Sequence, residues 1–210
     1  MSPRTRRERI AGPAGAIECA VDEPADVPRG LAVICHPHPQ GGGTLDNKVV
    51  QTLARAFAQL GLRSVRFNFR GIGASEGTWD GGPGEVEDAL AVIAAYRHGA
   101  EAETAMALPL VLAGFSFGGY VAAEAARRLP EDAKASRLVL IAPSTQKERM
   151  PAVPSNTLVV HGDADDVVPL AATLDWARPQ SLPVTVLPGA GHFFHGQLTL
   201  LKDIVLRAWR

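Results

Sequence analysis

Residues 104–123 read TAMALPLVLAGFSFGGYVAA, twenty positions without a charge between Glu103 and Glu124. Twenty uncharged residues could span a bilayer, and Gly114 with Gly118 even makes the G-x-x-x-G of a membrane helix pair. Pro109 and three glycines break that reading. The stretch divides instead. Pro109–Phe115 is a continuous apolar run, as expected of a central parallel strand covered on both faces. From Tyr120 onward the pattern is an amphipathic helix that closes at Arg127-Arg128-Leu129-Pro130. Strand, sharp turn and helix therefore meet at Gly114-Phe115-Ser116-Phe117-Gly118.

Working outward, short apolar runs alternate with helix-period segments. Strands are expected at Leu31–Cys35, Arg63–Phe69, Leu138–Ala142, Thr157–His161 and Val184–Leu187. Helices are expected at Lys48–Leu60, Glu85–Tyr96, from the serine turn to about Leu129, near Pro169–Ala177 and at His195–Trp209. Such alternation gives parallel neighbours joined by right-handed crossovers, so the class is α/β with helices on both faces of the sheet. Ile17–Val21 is expected to add an antiparallel edge strand. Function in such sheets collects in loops at the carboxyl ends of the strands.

Composition agrees with one folded domain over residues 1–210. The 210 residues carry 21 basic and 22 acidic side chains and are 46% hydrophobic. A net charge of −1 argues against a nucleic-acid partner, because polyanion binding needs a basic face. The arginines at 4, 6, 7 and 9 are not followed by an apolar segment, so a secretory signal is not expected and residues 1–10 read as a frayed basic tail. Cys19 and Cys35 lie in apolar, strand-like contexts and read as reduced small hydrophobes of a cytoplasmic protein. No membrane partner is expected, and oligomeric state is not legible.

G-x-S-x-G between a strand and a helix has a chemical rationale. Ser116 would sit on a strained turn, lifted off the sheet, with glycines at 114 and 118 where a Cβ would collide with neighbouring backbone. The helix that follows aims free N–H groups at the site, which suits a developing oxyanion. Such a serine needs a base, and the base an orienting carboxylate. In a strand–turn–helix architecture of this kind the chain order should be Ser, acid, His. After strand Thr157–His161 comes Gly162-Asp163-Ala164-Asp165-Asp166-Val167-Val168-Pro169, and after Val184–Leu187 comes Pro188-Gly189-Ala190-Gly191-His192. Asp163 and Asp166 compete with Asp165 as capping or loop-closing residues, and His195 competes with His192. His161 reads as a hydrogen-bonded structural residue and His98 as solvated.

With these motifs the chain resembles the α/β-hydrolases, and most closely small bacterial dienelactone-hydrolase-like serine esterases, over about residues 31 to 205. The resemblance implies an α/β-hydrolase fold with a mostly parallel, doubly wound sheet. It places the acid of G-x-x-D-x-x-V-P on Asp165 and the base of G-x-x-H on His192. Dienelactone hydrolases proper carry a nucleophilic cysteine where this chain has Ser116, so the implied activity is that of a serine esterase.

The oxyanion hole in this fold takes one donor from the residue after the nucleophile, here Phe117, and one from the loop after the first strand. That loop is His36-Pro37-His38-Pro39-Gln40-Gly41-Gly42-Gly43. Pro37 and Pro39 have no N–H, and the family's donor position falls on His38. His36-x-His38 lacks a third ligand at metal spacing, and Gly41–Gly43 with Lys48 fails the phosphate-loop pattern, so neither metal nor cofactor is expected. The Arg70-Gly71-Ile72-Gly73 loop reads as structural, with Arg70 bracing its neighbours. Only Pro143–Asn156 separates two strands where larger relatives insert a cap. No cap domain is expected, and the cleft should be open, walled by Phe117, Phe193 and Trp79.

The implied reaction is hydrolysis of small carboxylic esters through an acyl-enzyme. A thioesterase or small-peptide hydrolase would use the same residues. A non-catalytic binding protein on this fold would be expected to lack one of the three.

Overall fold

The computed structural model describes residues 5–97 and 108–209. Among these residues eight strands form one sheet: β1 (Thr5–Gly12), β2 (Gly15–Asp22), β3 (Leu31–Cys35), β4 (Arg63–Phe67), β5 (Leu110–Phe115), β6 (Arg137–Ile141), β7 (Leu158–Gly162) and β8 (Val184–Leu187). Their order is β1-β2-β4-β3-β5-β6-β7-β8. The pairs β1–β2 and β2–β4 are antiparallel, and the pairs from β4 through to β8 are parallel. Among the described residues five helices cover the sheet: α1 (Lys48–Gln59), α2 (Pro83–Arg97), α3 (Phe117–Arg128), α4 (Leu170–Ala177) and α5 (Leu198–Arg207).

The apolar runs of the central strands follow from burial on both faces. Leu31, Val33 and Cys35 of β3 pack with residues of α2 and α3, while Ala32 and Ile34 pack under α1. Successive strand side chains alternate between faces, so two cores require an unbroken apolar run. Asn47 starts α1 by accepting the N–H groups of Val49 and Val50.

Three expectations need correction. Residues 5–10 are not a frayed tail but most of edge strand β1, which places Ile17–Val21, within β2, one strand in from the edge. The hairpin closes at Pro13-Ala14, with Gly12 opposite Gly15, and Gly15 holds φ +114°. Side-chain contacts then hold the basic strand: Arg7 reaches Glu18 and Asp46, Arg9 reaches Glu76, and the Tyr96 hydroxyl donates to Glu8. The closing helix starts at Leu198 rather than His195, because Phe194 (φ +52°) and Gly196 (φ +75°) lie outside the helical region. His98 lies outside the described residues.

Residues 142–157, between β6 and β7, contain no helix, so the sheet's carboxyl edge has no cap there. No helix among the described residues is long and apolar enough to cross a membrane.

Candidate active site

The chain turns from β5 into α3 at Ser116, whose φ of +56° and ψ of −120° no helix or strand would tolerate. Three backbone hydrogen bonds hold this strained residue. Its N–H donates to Ile141 O (2.9 Å), and its carbonyl accepts the N–H groups of Gly119 (2.9 Å) and Ser144 (3.1 Å). A Cβ at Gly114 would overlap the Gly118 carbonyl, and one at Gly118 would overlap the Cys35 carbonyl. Glycine at both positions lets α3 cross tightly over β3 and β5.

Asp165 and His192 come from the loops that follow β7 and β8. The loops are tied to each other: Ala164 N–H donates to Ala190 O (3.1 Å), and Gly189 N–H donates to Asp163 Oδ1 (2.6 Å). Asp163 is therefore the loop-closing residue, and Asp166 is exposed. Asp165 Oδ1 accepts the N–H groups of Val167 (2.9 Å) and Val168 (2.8 Å), while Oδ2 lies 2.7 Å from His192 Nδ1. A carboxylate can only accept, so Nδ1 carries the proton and Nε2 is left as the acceptor facing Ser116 Oγ at 3.0 Å. Exposures of 7% for Ser116, 9% for Asp165 and 3% for His192 keep water away from most of this chain of hydrogen bonds.

Burial pushes the Asp165 carboxyl up, but hydrogen bonds from His161, His192 and the Val168 N–H outweigh it and hold the group well below the usual carboxylate range. The Phe115 ring lies against the His192 imidazole, centroids 4.9 Å apart. His195 is exposed and stacks near Phe193 at 5.9 Å, away from this chain.

The backbone N–H groups of His38 and Phe117 have no acceptor among the described residues. Phe117 is the first residue of α3, where helix N–H groups are unpaired and a negative charge is favoured. His38 is held by its own ring, whose Nδ1 accepts Gln40 N–H at 3.2 Å, and by its carbonyl, which accepts the N–H groups of Gly41 and Gly43. One residue earlier, His36 fastens the whole loop. Its Nδ1 donates to Pro37 O (2.7 Å) and its Nε2 accepts Phe69 N–H (3.1 Å), so both ring nitrogens are committed to backbone. Burial lowers the His36 imidazole to about 4, against a partial rise from the Pro37 hydrogen bond.

The aromatic residues differ from expectation in one respect. Phe117 is only 1% exposed and sits in the core beside Phe69, with His38 and Trp79 against it, so its ring is not a cleft wall. Trp79 is half-buried on the His38 ring at 4.9 Å, and Phe193 is 42% exposed beside His192. Arg70 braces its loop as expected, pairing with Asp88 on α2 at 2.8 Å. Sequence reading missed the Ser144 contact and the approach of His161 to Asp165; the only hint of the latter was their spacing of four residues.

Fold and site together define an α/β serine hydrolase. Solved structures agree. The chain is 40% identical to an α/β serine hydrolase homologue from Coxiella burnetii, with a TM-score of 0.87 over 98% of this chain and 97% of that one. A lidless α/β serine hydrolase from Xanthomonas campestris is 35% identical, also with a TM-score of 0.87, over 98% and 93% of the two chains. An uncharacterized protein of Rickettsia prowazekii is 29% identical across 87% of this chain and 79% of its own length. The chain belongs to the serine aminopeptidase S33 family, whose model matches residues 26–156.

Proposed function

We propose that this chain hydrolyses small carboxylic esters through an acyl-enzyme on Ser116. The observation that carries the reading is the unbroken path from Ser116 Oγ through His192 to Asp165, at 3.0 and 2.7 Å. His192 Nε2 takes the hydroxyl proton as Oγ forms a bond to the ester carbonyl carbon. The N–H groups of Phe117 and His38 receive the oxyanion, each worth roughly 3 kcal/mol in the transition state. Collapse breaks the carbon–oxygen bond to the alcohol, which leaves with the proton from Nε2. A water, deprotonated by the same nitrogen, then frees the acid and returns the proton to Ser116. Asp165 holds the Nδ1–H tautomer throughout.

The uncapped sheet edge favours small or exposed acyl groups. The small-molecule ester is the only partner this reading needs, and chemistry on Ser116, His192 and Asp165 calls for no cofactor. Both cysteines are free and buried, which suits a reducing compartment, and we place the protein in the cytoplasm.

The family's description as serine aminopeptidases favours a second reading, amide hydrolysis by the same groups. The test compares a short-chain aryl ester with an aminoacyl anilide on wild type and Ser116→Ala. The ester reading expects the higher kcat/KM on the ester and at least a thousandfold loss in the variant. Equal rates in the two proteins would discard both readings, and a preference for the anilide would establish the second.

A further inference from the structure

His161 is the penultimate residue of β7, is fully buried, and has no role in the steps above. Its Nε2 lies 2.8 Å from Val168 O and 3.3 Å from Asp165 Oδ2, the same oxygen that faces His192. Both neighbours are acceptors, so Nε2 carries the proton. The other ring nitrogen, Nδ1, is buried and has no hydrogen-bond partner among the described residues. An orphaned buried nitrogen is a cost that an apolar residue of similar size would remove. A purely space-filling role would therefore be better met by leucine.

Resting on the proposed relay, we infer that His161 is its fourth member: a positioning residue whose Nε2–H, shared between Val168 O and Asp165 Oδ2, fixes the angle and charge of the carboxylate that orients His192. Among the groups that hold Asp165 below its ordinary range, the His161 hydrogen bond is the largest opponent of burial. The surroundings leave it few rivals among the described residues. On the same loop, Asp163 is occupied by Gly189 N–H and Asp166 is exposed; from α4, Asp175 is exposed and paired with Arg178. The β8 loop brings His192 itself, with His195 exposed beyond it, and the facing part of β6 is Leu140 and Ile141.

The sign of the effect follows from charge. A donor on Oδ2 draws electron density away from His192, so its loss strengthens the hold of Asp165 on the imidazolium. His192 must be neutral to accept from Ser116, and the acid limb of kcat/KM then moves to higher pH.

The test is the pH profile of aryl-ester hydrolysis by wild type, His161→Leu and His161→Gln, each checked for folding by circular dichroism. His161→Leu is expected to move the acid limb up by about half a unit or more, with kcat falling roughly tenfold, as when the outer partner of a functional histidine is lost. His161→Gln, which keeps an N–H donor, should restore most of both. A folded His161→Leu with the native limb and kcat overturns the inference, as does His161→Gln behaving like His161→Leu. Should the leucine variant not fold, nitrogen-15 NMR of the histidines decides. Nε2 protonation at His161, with a proton resonance that moves in Asp165→Asn, is expected; an unmoved resonance contradicts the contact. Fluorophosphonate labelling of the wild type separates the two levels. Its failure would undo the ester reading and leave the NMR result standing on its own.

Discussion

The two sides of this sheet carry polar residues in opposite ways. At the carboxyl ends of β5, β7 and β8, Ser116, Asp165 and His192 are at most 9% exposed, and two side-chain hydrogen bonds join the three in a row. The backbone there is strained, with Ser116 at φ +56° and Phe194 at φ +52°. Along β1 the arginine side chains are about half exposed, the strand is relaxed, and Arg7 divides its charge between two carboxylates. One region concentrates its chemistry and its cost in a few atoms. The other spreads weak contacts so that no single one matters. The difference teaches where polar residues in this fold do work that others cannot share.

Asp165→Asn should break the comparison most sharply. The amide cannot both accept from Nδ1–H and keep its two backbone donors at the other terminus without presenting an N–H to one of them. Aryl-ester kcat is expected to fall roughly 10³–10⁴-fold with the fold intact. A loss below about tenfold would mean that a neighbouring carboxylate takes over, which the loop-closing position of Asp163 argues against.

His36 gives the next largest effect, on stability rather than rate. Its folded imidazole titrates near 4 against an ordinary value of 6.5, so the unfolded chain binds the proton first as pH falls. Stability from this residue is complete above about 6.5 and is lost as pH drops toward 4, a swing of about 3 kcal/mol. Urea melts across that window should show the slope in wild type and its disappearance in His36→Gln. Parallel curves for the two proteins would contradict the assignment.

Arg7→Ala samples the opposite region. Its pairs with Glu18 and Asp46 are surface pairs, with Arg7 47% exposed, and the expected loss is under about 1 kcal/mol in the urea midpoint. Activity should be unchanged. A larger loss would show that the β1 edge is fastened as tightly as the sheet's carboxyl edge.

The same contrast explains what could be read from the sequence. Strands β3 and β5 were legible as Leu31–Cys35 and Pro109–Phe115 because burial on both faces leaves an unbroken apolar run. Ser116 was legible because it follows such a run, and Asp165 and His192 because they sit in the loops after two later strands, in the order usual for this fold. β1 was not, since Thr5–Gly12 alternates charges whose carboxylate partners at 18, 46 and 76 are distant in sequence. Its one local signal was the Gly12-Pro13-Ala14-Gly15 turn beside the alternating strand Ile17–Val21. The Phe117 ring misled because a residue whose N–H faces the cleft can bury its side chain beneath it.

The most direct measurement of the central claim is intact-mass and peptide-mapping spectrometry of the protein quenched during turnover of a slowly deacylating aryl ester. The account predicts one acyl group per chain, carried on the peptide containing Ser116, and none in Ser116→Ala. A folded, turning-over protein with no acyl group, or with the group on another residue, would contradict it.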